Sequence, residues 1–406
     1  MSARPLLVFR RVGALAAASV IAAVLAACSG GGSSSSLTTA EAKQYATKQF
    51  TPQDVAAADI LTPAAGSFLA GKHTVTNVAS TTPSNGDESP YGLVVAPVSA
   101  GTIHKGDMLV DNFDNSSSKQ GTGTTIVDVN AAGAVSVFAL LPRTVPGCPG
   151  GVGLDTAMVM LRNGWIIAGS LPTNDGTLAT AGAGCLLVLS PAGKLIGPLG
   201  GAALDGPWDA AVDDEGNTAQ LFVTTTLNGL TAATTGVVNR GTVVRLTLSS
   251  TPRTPPTVTA STVLANGLGE RQDAAALVKG PTGLALGTDA TLFVSDNLGN
   301  RILAIPDASS RTSLDPTPVV VSTGGQLAGP LGLVVAPDED LLVANADNGK
   351  VVEITQAGRQ VGSYYAVQDV GQDPPGNGDL FDLAISPDGT KLLFVKDDTN
   401  VLATVS

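Results

Sequence analysis

Three aspartates in this chain sit in closely similar settings. Asp155, Asp209 and Asp382 each follow a bulky apolar residue (Leu154, Trp208 and Phe381) and precede a short apolar run. Carboxylates repeated at one structural position converge on a common axis if the units that carry them form a ring. Three such groups can hold a hard divalent cation such as Ca2+ through oxygen ligands, or accept hydrogen bonds from a polar ligand. Taken singly, each can instead cap a local turn. Tyr91, Trp208 and Phe381 stand at the same kind of opening and offer apolar or stacking surface. The two histidines are His73, in an alternating strand, and His104, in a turn. They supply neither a His-based triad nor a zinc site. No glycine-rich phosphate loop precedes a helix, and the glycine-rich stretches read as turns.

The openings recur because the chain repeats one phrase. Residues 280–305 read GPTGLALGTDATLFVSDNLGNRILAI and residues 329–354 read GPLGLVVAPDEDLLVANADNGKVVEI. Each is a turn, an apolar run, a polar turn, a second run ending in Asp or Asn, a short loop and a third run. A repeat of this size indicates a propeller or an array. Six first strands align on Tyr91-Gly92, Leu154-Asp155, Trp208-Asp209, Thr282-Gly283, Leu331-Gly332 and Phe381-Asp382. Second and third strands follow in all six units. Fourth strands fit in five, among them Thr257–Leu264 in the third. The alternating stretch at 73–80 is left to complete the sixth. The expected fold is therefore all-β: a six-bladed β-propeller with four-stranded blades, its ring closed by the N-terminal strand at about 73–80, which would remove an exposed edge. Long second-to-third connections in units one to three (Asn112–Gly123, Gly169–Gly184 and Thr225–Gly241) would build a lopsided wall beside the channel mouth.

The pattern resembles the NHL repeat and the related SMP-30/gluconolactonase-like six-bladed propellers over residues 73–406. It is strongest at Asp296 with Asn300 and Asn345 with Asn348. The resemblance implies a metal site built from Asn and Asp at the strand openings. Those positions are held here by Tyr91, Trp208, Thr282 and Leu331, so a hydrolase would need a shifted set such as Asp155, Asp209 and Asp382.

The first 27 residues read as a leader, with Arg4, Arg10 and Arg11 before an Ala-rich apolar stretch that ends Leu25-Ala26-Ala27-Cys28. This is similar to the lipobox of bacterial lipoproteins and implies lipidation of Cys28. A Gly/Ser tether (28–36) and a partly helical extension (37–72) follow, with capping signals at Thr38 and Glu41 and at Thr51-Pro52. Ser29 after the cysteine points to an outer-membrane, periplasm-facing location in a Gram-negative host. Without the leader the chain holds 19 basic against 34 acidic residues, a surface that repels nucleic acid. Cys148 and Cys185 remain as an even pair in an oxidising compartment, and a disulfide between them is expected. The main functional expectation is a membrane-tethered module that binds a small ligand, a glycan or a protein. The alternative is a cation-dependent, lactonase-like hydrolase.

Overall fold

The computed structural model describes residues 60–201, 204–230, 233–314, 318–368 and 372–406. The leader, Cys28, the tether and residues 37–59 of the extension lie outside the described residues. Residues 60–72 form turns and contain no helix. No helix among the described residues is long and apolar enough to cross a membrane.

The described residues form a six-bladed β-propeller of antiparallel sheets. Blade 1 is Glu88–Val95, Met108–Asp114, Thr125–Val129 and Val135–Leu140. Blade 2 is Leu154–Met160, Ile166–Ser170, Cys185–Leu189 and Leu195–Pro198. Blade 3 is Pro207–Asp214, Thr218–Thr225, Val238–Thr251, Thr254–Asp273 and Leu277–Lys279. Blade 4 is Pro281–Leu286, Leu292–Asp296, Arg301–Ile305 and Val319–Thr323. Blade 5 is Pro330–Val335, Leu341–Asn345, Lys350–Ile354 and Gln360–Tyr365. Blade 6 is Leu380–Ile385, Leu392–Lys396 and Val401–Val405, with Val75–Ser80 as its outer strand.

The second and third strands are buried on both faces. Leu292–Asp296, Leu341–Asn345 and Lys350–Ile354 are buried at every residue. That is why they read as continuous apolar runs rather than alternating ones. Their side chains fill the spaces between neighbouring blades, as with Phe293, Leu333, Val343 and Val352 between blades 4 and 5.

The expected fold class is corrected in three respects. The sheets are open and none is closed or strongly curled. Each strand ladder ends at its own blade, and neighbouring blades meet through side-chain packing, so the expected closure is not a hydrogen-bonded ring. Val75–Ser80 pairs with Val401–Val405 at the edge of one open sheet; His73 and Thr74 precede this strand rather than belong to it. Blade 3 has five strands rather than four. Its fourth strand runs far beyond the expected Thr257–Leu264, and it pairs with the third as far as Val238 with Glu270. Residues 265–273 look like a loop because of Asn266, Gly267 and Gly269, and Gly267 does adopt a left-handed conformation (φ 73°). Long-range pairing with 238–241 overrides that local composition.

Cys148 and Cys185 are joined by a disulfide, with Cα atoms 5.6 Å apart and a sequence separation of 37. It ties the turn before blade 2 to that blade's third strand. Replacing both cysteines by serine should lower unfolding stability by about 3–4 kcal/mol through loss of loop closure. Equilibrium denaturation would read this directly, and an unchanged midpoint would deny the cross-link any such role.

Candidate functional site at the channel mouth

The position after each strand-opening residue explains why it is Gly in some blades and Asp in others. At Gly283 a Cβ would lie 2.1 Å from the Leu331 carbonyl oxygen, and at Gly332 it would lie 2.4 Å from that of Phe381. Neighbouring inner strands approach too closely there for any side chain. Where the residue is Asp, the carboxylate accepts backbone N–H groups. Asp209 accepts from Leu284 of blade 4 (2.8 Å) and from Ala210 (2.7 Å). Asp382 accepts from Leu93 of blade 1 (2.9 Å) and from Leu383 (2.7 Å). Asp155 accepts from Ala157 (3.0 Å). Blade 1 has Gly92 at this position, and Asp111 from the second strand takes up the Gly92 N–H instead (2.7 Å). Asp209 and Asp382 thus clasp neighbouring inner strands, Asp111 ties the first two strands of blade 1, and Asp155 caps its own strand.

The same four carboxyls lie in dry surroundings. Burial raises Asp111 to about 8, with Asp382 adding repulsion. Burial raises Asp382 to about 7 against the pull of its two N–H donors. Asp155 and Asp209 are pushed well above the ordinary carboxylate range, first by burial and then by the other acids of the group. Three carboxylates that shared a cation would bring their oxygens together. Among the described residues, the only acidic group whose oxygens lie within 4.8 Å of one another is Asp338, Asp340 and Glu353. Asp155, Asp209 and Asp382 are not brought together in that way, and the openings beside them carry Tyr91, Trp208, Thr282 and Leu331. The metal site that the sequence resemblance implies does not fit these residues.

Tyr91, Trp208 and Phe381 do meet. They are 4–7% exposed and pack in one apolar cluster with Phe113 and Leu331. The Tyr91 ring stacks on Phe381 (centroids 3.9 Å apart) and on Phe113 (4.5 Å). Together with Leu331, the three predicted residues form the floor of a cavity of about 450 Å³ at the channel mouth. Asp155, Asp209 and Asp382 are not among the residues lining it.

Sequence reasoning missed the cavity's acidic wall. Asp114 ends the second strand of blade 1, and Asp397 follows the second strand of blade 6. Both line the cavity. The Ser89 hydroxyl donates to Asp114 Oδ2 (3.1 Å) and acts to lower the Asp397 value. Ser89 is held for this in a left-handed conformation (φ 61°), with its N–H donating to Asn400 Oδ1 (2.6 Å). Oδ1 of each carboxyl lacks a hydrogen-bond partner. Burial raises Asp114 to about 7 despite the Ser89 bond, and Glu88 adds to the rise. Asp397 is raised to about 8, by burial first and then by Asp114, Asp398 and Asp379. Asp397 stands where Asn297 stands in blade 4, and both line the mouth. The sequence signal lies at the end of the second strands, at the last residue (Asp114) or just beyond it (Asp397), and not at the residues that open the first strands.

The fifth strand of blade 3 forms the cavity's outer wall. The hairpin Thr254–Asp273 to Leu277–Lys279 buries Leu277 and Val278 in the floor cluster and turns Ala275 and Ala276 toward the cavity. Gln120, from the long blade 1 connection, donates its amide to the Ala275 carbonyl across the mouth. Lys279 pairs with Asp347 of blade 5 (2.9 Å).

Asp338, Asp340 and Glu353 lie at the opposite end of the blade 5 strands. Glu353 there accepts the Phe68 and Leu69 N–H groups and so anchors the segment before blade 1. Such a group could hold a divalent cation, at a distance from the cavity.

No family model matches the chain, and no curated protein matches it. Solved structures do resemble it. A gluconolactonase from Xanthomonas campestris superposes with a TM-score of 0.52 at 14% identity, covering 87% of this chain and 96% of that one. A luciferin-regenerating enzyme gives 0.53 at 10% identity, covering 83% and 95%. Regucalcin from Agrobacterium tumefaciens, a calcium-binding protein, gives 0.51 at 14% identity, covering 83% and 93%. The likeness is one of fold.

Proposed function

We propose that the channel mouth is the active site of a hydrolase acting on lactones or related cyclic esters. The observation that carries this reading is the pair Asp114 and Asp397, raised to about 7 and about 8, on one wall of a cavity with an aromatic floor. Carboxyls perturbed in this way, in a cleft, suit acid–base chemistry near neutral pH. Between its two values the pair holds one proton, which this reading assigns to Asp397 as the acid, with Asp114 as the carboxylate. Asp114 takes a proton from water as the water oxygen bonds to the acyl carbon. The ring C–O bond then breaks, and the ring oxygen takes the Asp397 proton. The product is a hydroxy acid, and proton exchange with solvent restores the pair. Ser89 positions the Asp114 carboxyl. Hydrolysis of a panel of cyclic esters, followed by base consumption, tests the reading. Turnover that is lost in Asp397→Asn supports it. Saturable binding without turnover would favour the alternative, a binding module for a small ligand or glycan.

In this reading a divalent cation has a structural role at Asp338, Asp340 and Glu353, while the chemistry belongs to the carboxyl pair. Calcium at millimolar concentration should raise the melting temperature by a few degrees, since binding to the native state alone stabilises it. The rise should vanish in Asp338→Asn with Asp340→Asn. An equal rise in that variant would remove the cation from this site.

The same proposal places the enzyme outside the cytoplasm, anchored by lipid on Cys28 and, in a Gram-negative host, facing the periplasm from the outer membrane. The leader motif supports this, and so does the Cys148–Cys185 disulfide, which persists in oxidising compartments. Cys28→Ser should move the protein from the membrane to the soluble fraction. An unchanged membrane fraction would contradict lipidation.

A further inference from the structure

The cavity at the mouth has an annex. A second cavity of about 570 Å³ shares Gln120 and Asp273 with the first. Its walls come from the turn at Leu178–Thr180 in the long blade 2 connection and from Ala274 and Leu277 of the blade 3 hairpin. Leu178 packs against the same apolar cluster as the aromatic floor. The floor is Tyr91, Trp208, Leu331 and Phe381, and the hairpin faces the first cavity with Ala275, Ala276 and Val278. Leu178, Ala179, Ala274 and Leu277 give the annex an apolar lining beside Gln120, Gln272 and Asp273, whereas the first cavity carries Lys279, Asn297, Asp347, Asn377 and Asp398 as well as the carboxyl pair. An apolar substituent on the ring would gain by leaving water.

We propose that this site takes a cyclic ester carrying an apolar chain. The ring lies over the aromatic floor beside Asp114 and Asp397, and the chain runs past Gln120 and Asp273 into the annex under Leu178. The inference rests on the hydrolase reading for the ring, while the chain's compartment is defined by the annex itself. The long connections of blades 1 and 2 and the extended hairpin of blade 3 thereby become specificity elements rather than surface insertions.

The test separates chain binding from chemistry. Alkyl-substituted lactams, which keep the ring and resist hydrolysis, are titrated against the intrinsic fluorescence of Trp208. Trp165, the other tryptophan, lies in the separate core between blades 2 and 3. Affinity should tighten roughly fourfold per added methylene until the annex is full. Leu178→Asp should flatten this dependence, read as the ratio of each alkyl lactam to the unsubstituted lactam in the same variant. Ala179→Trp, which fills the annex from an exposed position on the same turn, should do likewise and covers the case in which Leu178→Asp does not fold. Affinity independent of chain length, or a slope unchanged in both variants, would overturn the annex proposal even if short lactones are hydrolysed. Chain-dependent lactam binding without hydrolysis of the matching lactones would support the annex and overturn the hydrolase reading instead.

Discussion

Asp114→Asn is expected to lower kcat for cyclic-ester hydrolysis by about 10²–10⁴-fold, the usual contribution of a positioned acid–base group, with a much smaller change in KM. The amide keeps the shape and can still accept from the Ser89 hydroxyl, so the fold and the aromatic floor should survive. What it removes is the ability to take a proton from water. Ser89→Ala should act more weakly: it frees the Asp114 carboxyl to move and removes a hydroxyl that lowers both values. Its signature is an upward shift of both limbs of the pH–rate profile together with a modest drop in kcat. A loss in Asp114→Asn confined to KM would mean that the group binds substrate and does no chemistry.

The second large effect concerns stability. Asp111 and Asp382 are carboxyls whose folded-state values, about 8 and about 7, lie far above the ordinary Asp value near 4. A raised value means that the folded state holds the proton more tightly than the unfolded chain. The stabilisation is then fully present below the unfolded value and is lost as pH rises through the folded value. Stability should accordingly fall between about pH 4 and pH 8. Asp155 and Asp209 act in the same direction. The acids interact, so their contributions merge into shared steps rather than adding separately. For a chain of this size the loss between pH 5 and pH 9 corresponds to a drop of roughly 5–10 °C in melting temperature. Asp111→Asn, which still accepts the Gly92 N–H, should melt higher than the parent protein at pH 8 and show a shallower pH slope. A melting temperature that rises over this interval would refute the account of the axial acids as proton-holding clasps.

The repeat made the blades legible. Units four to six carry short turns and nearly identical phrases, so their strands fall where the apolar runs lie. Tyr91, Trp208 and Phe381 were legible as one surface, because a residue at a fixed place in a repeat must share a ring with its counterparts. Asp155, Asp209 and Asp382 followed the same logic to their place but not to their role. Carboxyls one position further along an inner strand turn toward the neighbouring backbone instead of the channel. Asp114 and Asp397 were hidden because they come from the first and last blades and meet only when the ring is assembled around Ser89. The blade 3 hairpin was hidden by its own composition. Gly267, Gly269 and an alanine run read as a loop until strand pairing with 238–241 extends the sheet over the mouth.

The most direct test is the pH dependence of kcat/KM for a cyclic ester in the parent protein and in Asp397→Asn. The account predicts a bell, rising through about pH 7 as Asp114 ionises and falling through about pH 8 as Asp397 loses its proton, with the falling limb gone and the rate much reduced in the variant. A profile with both limbs intact in Asp397→Asn would contradict it.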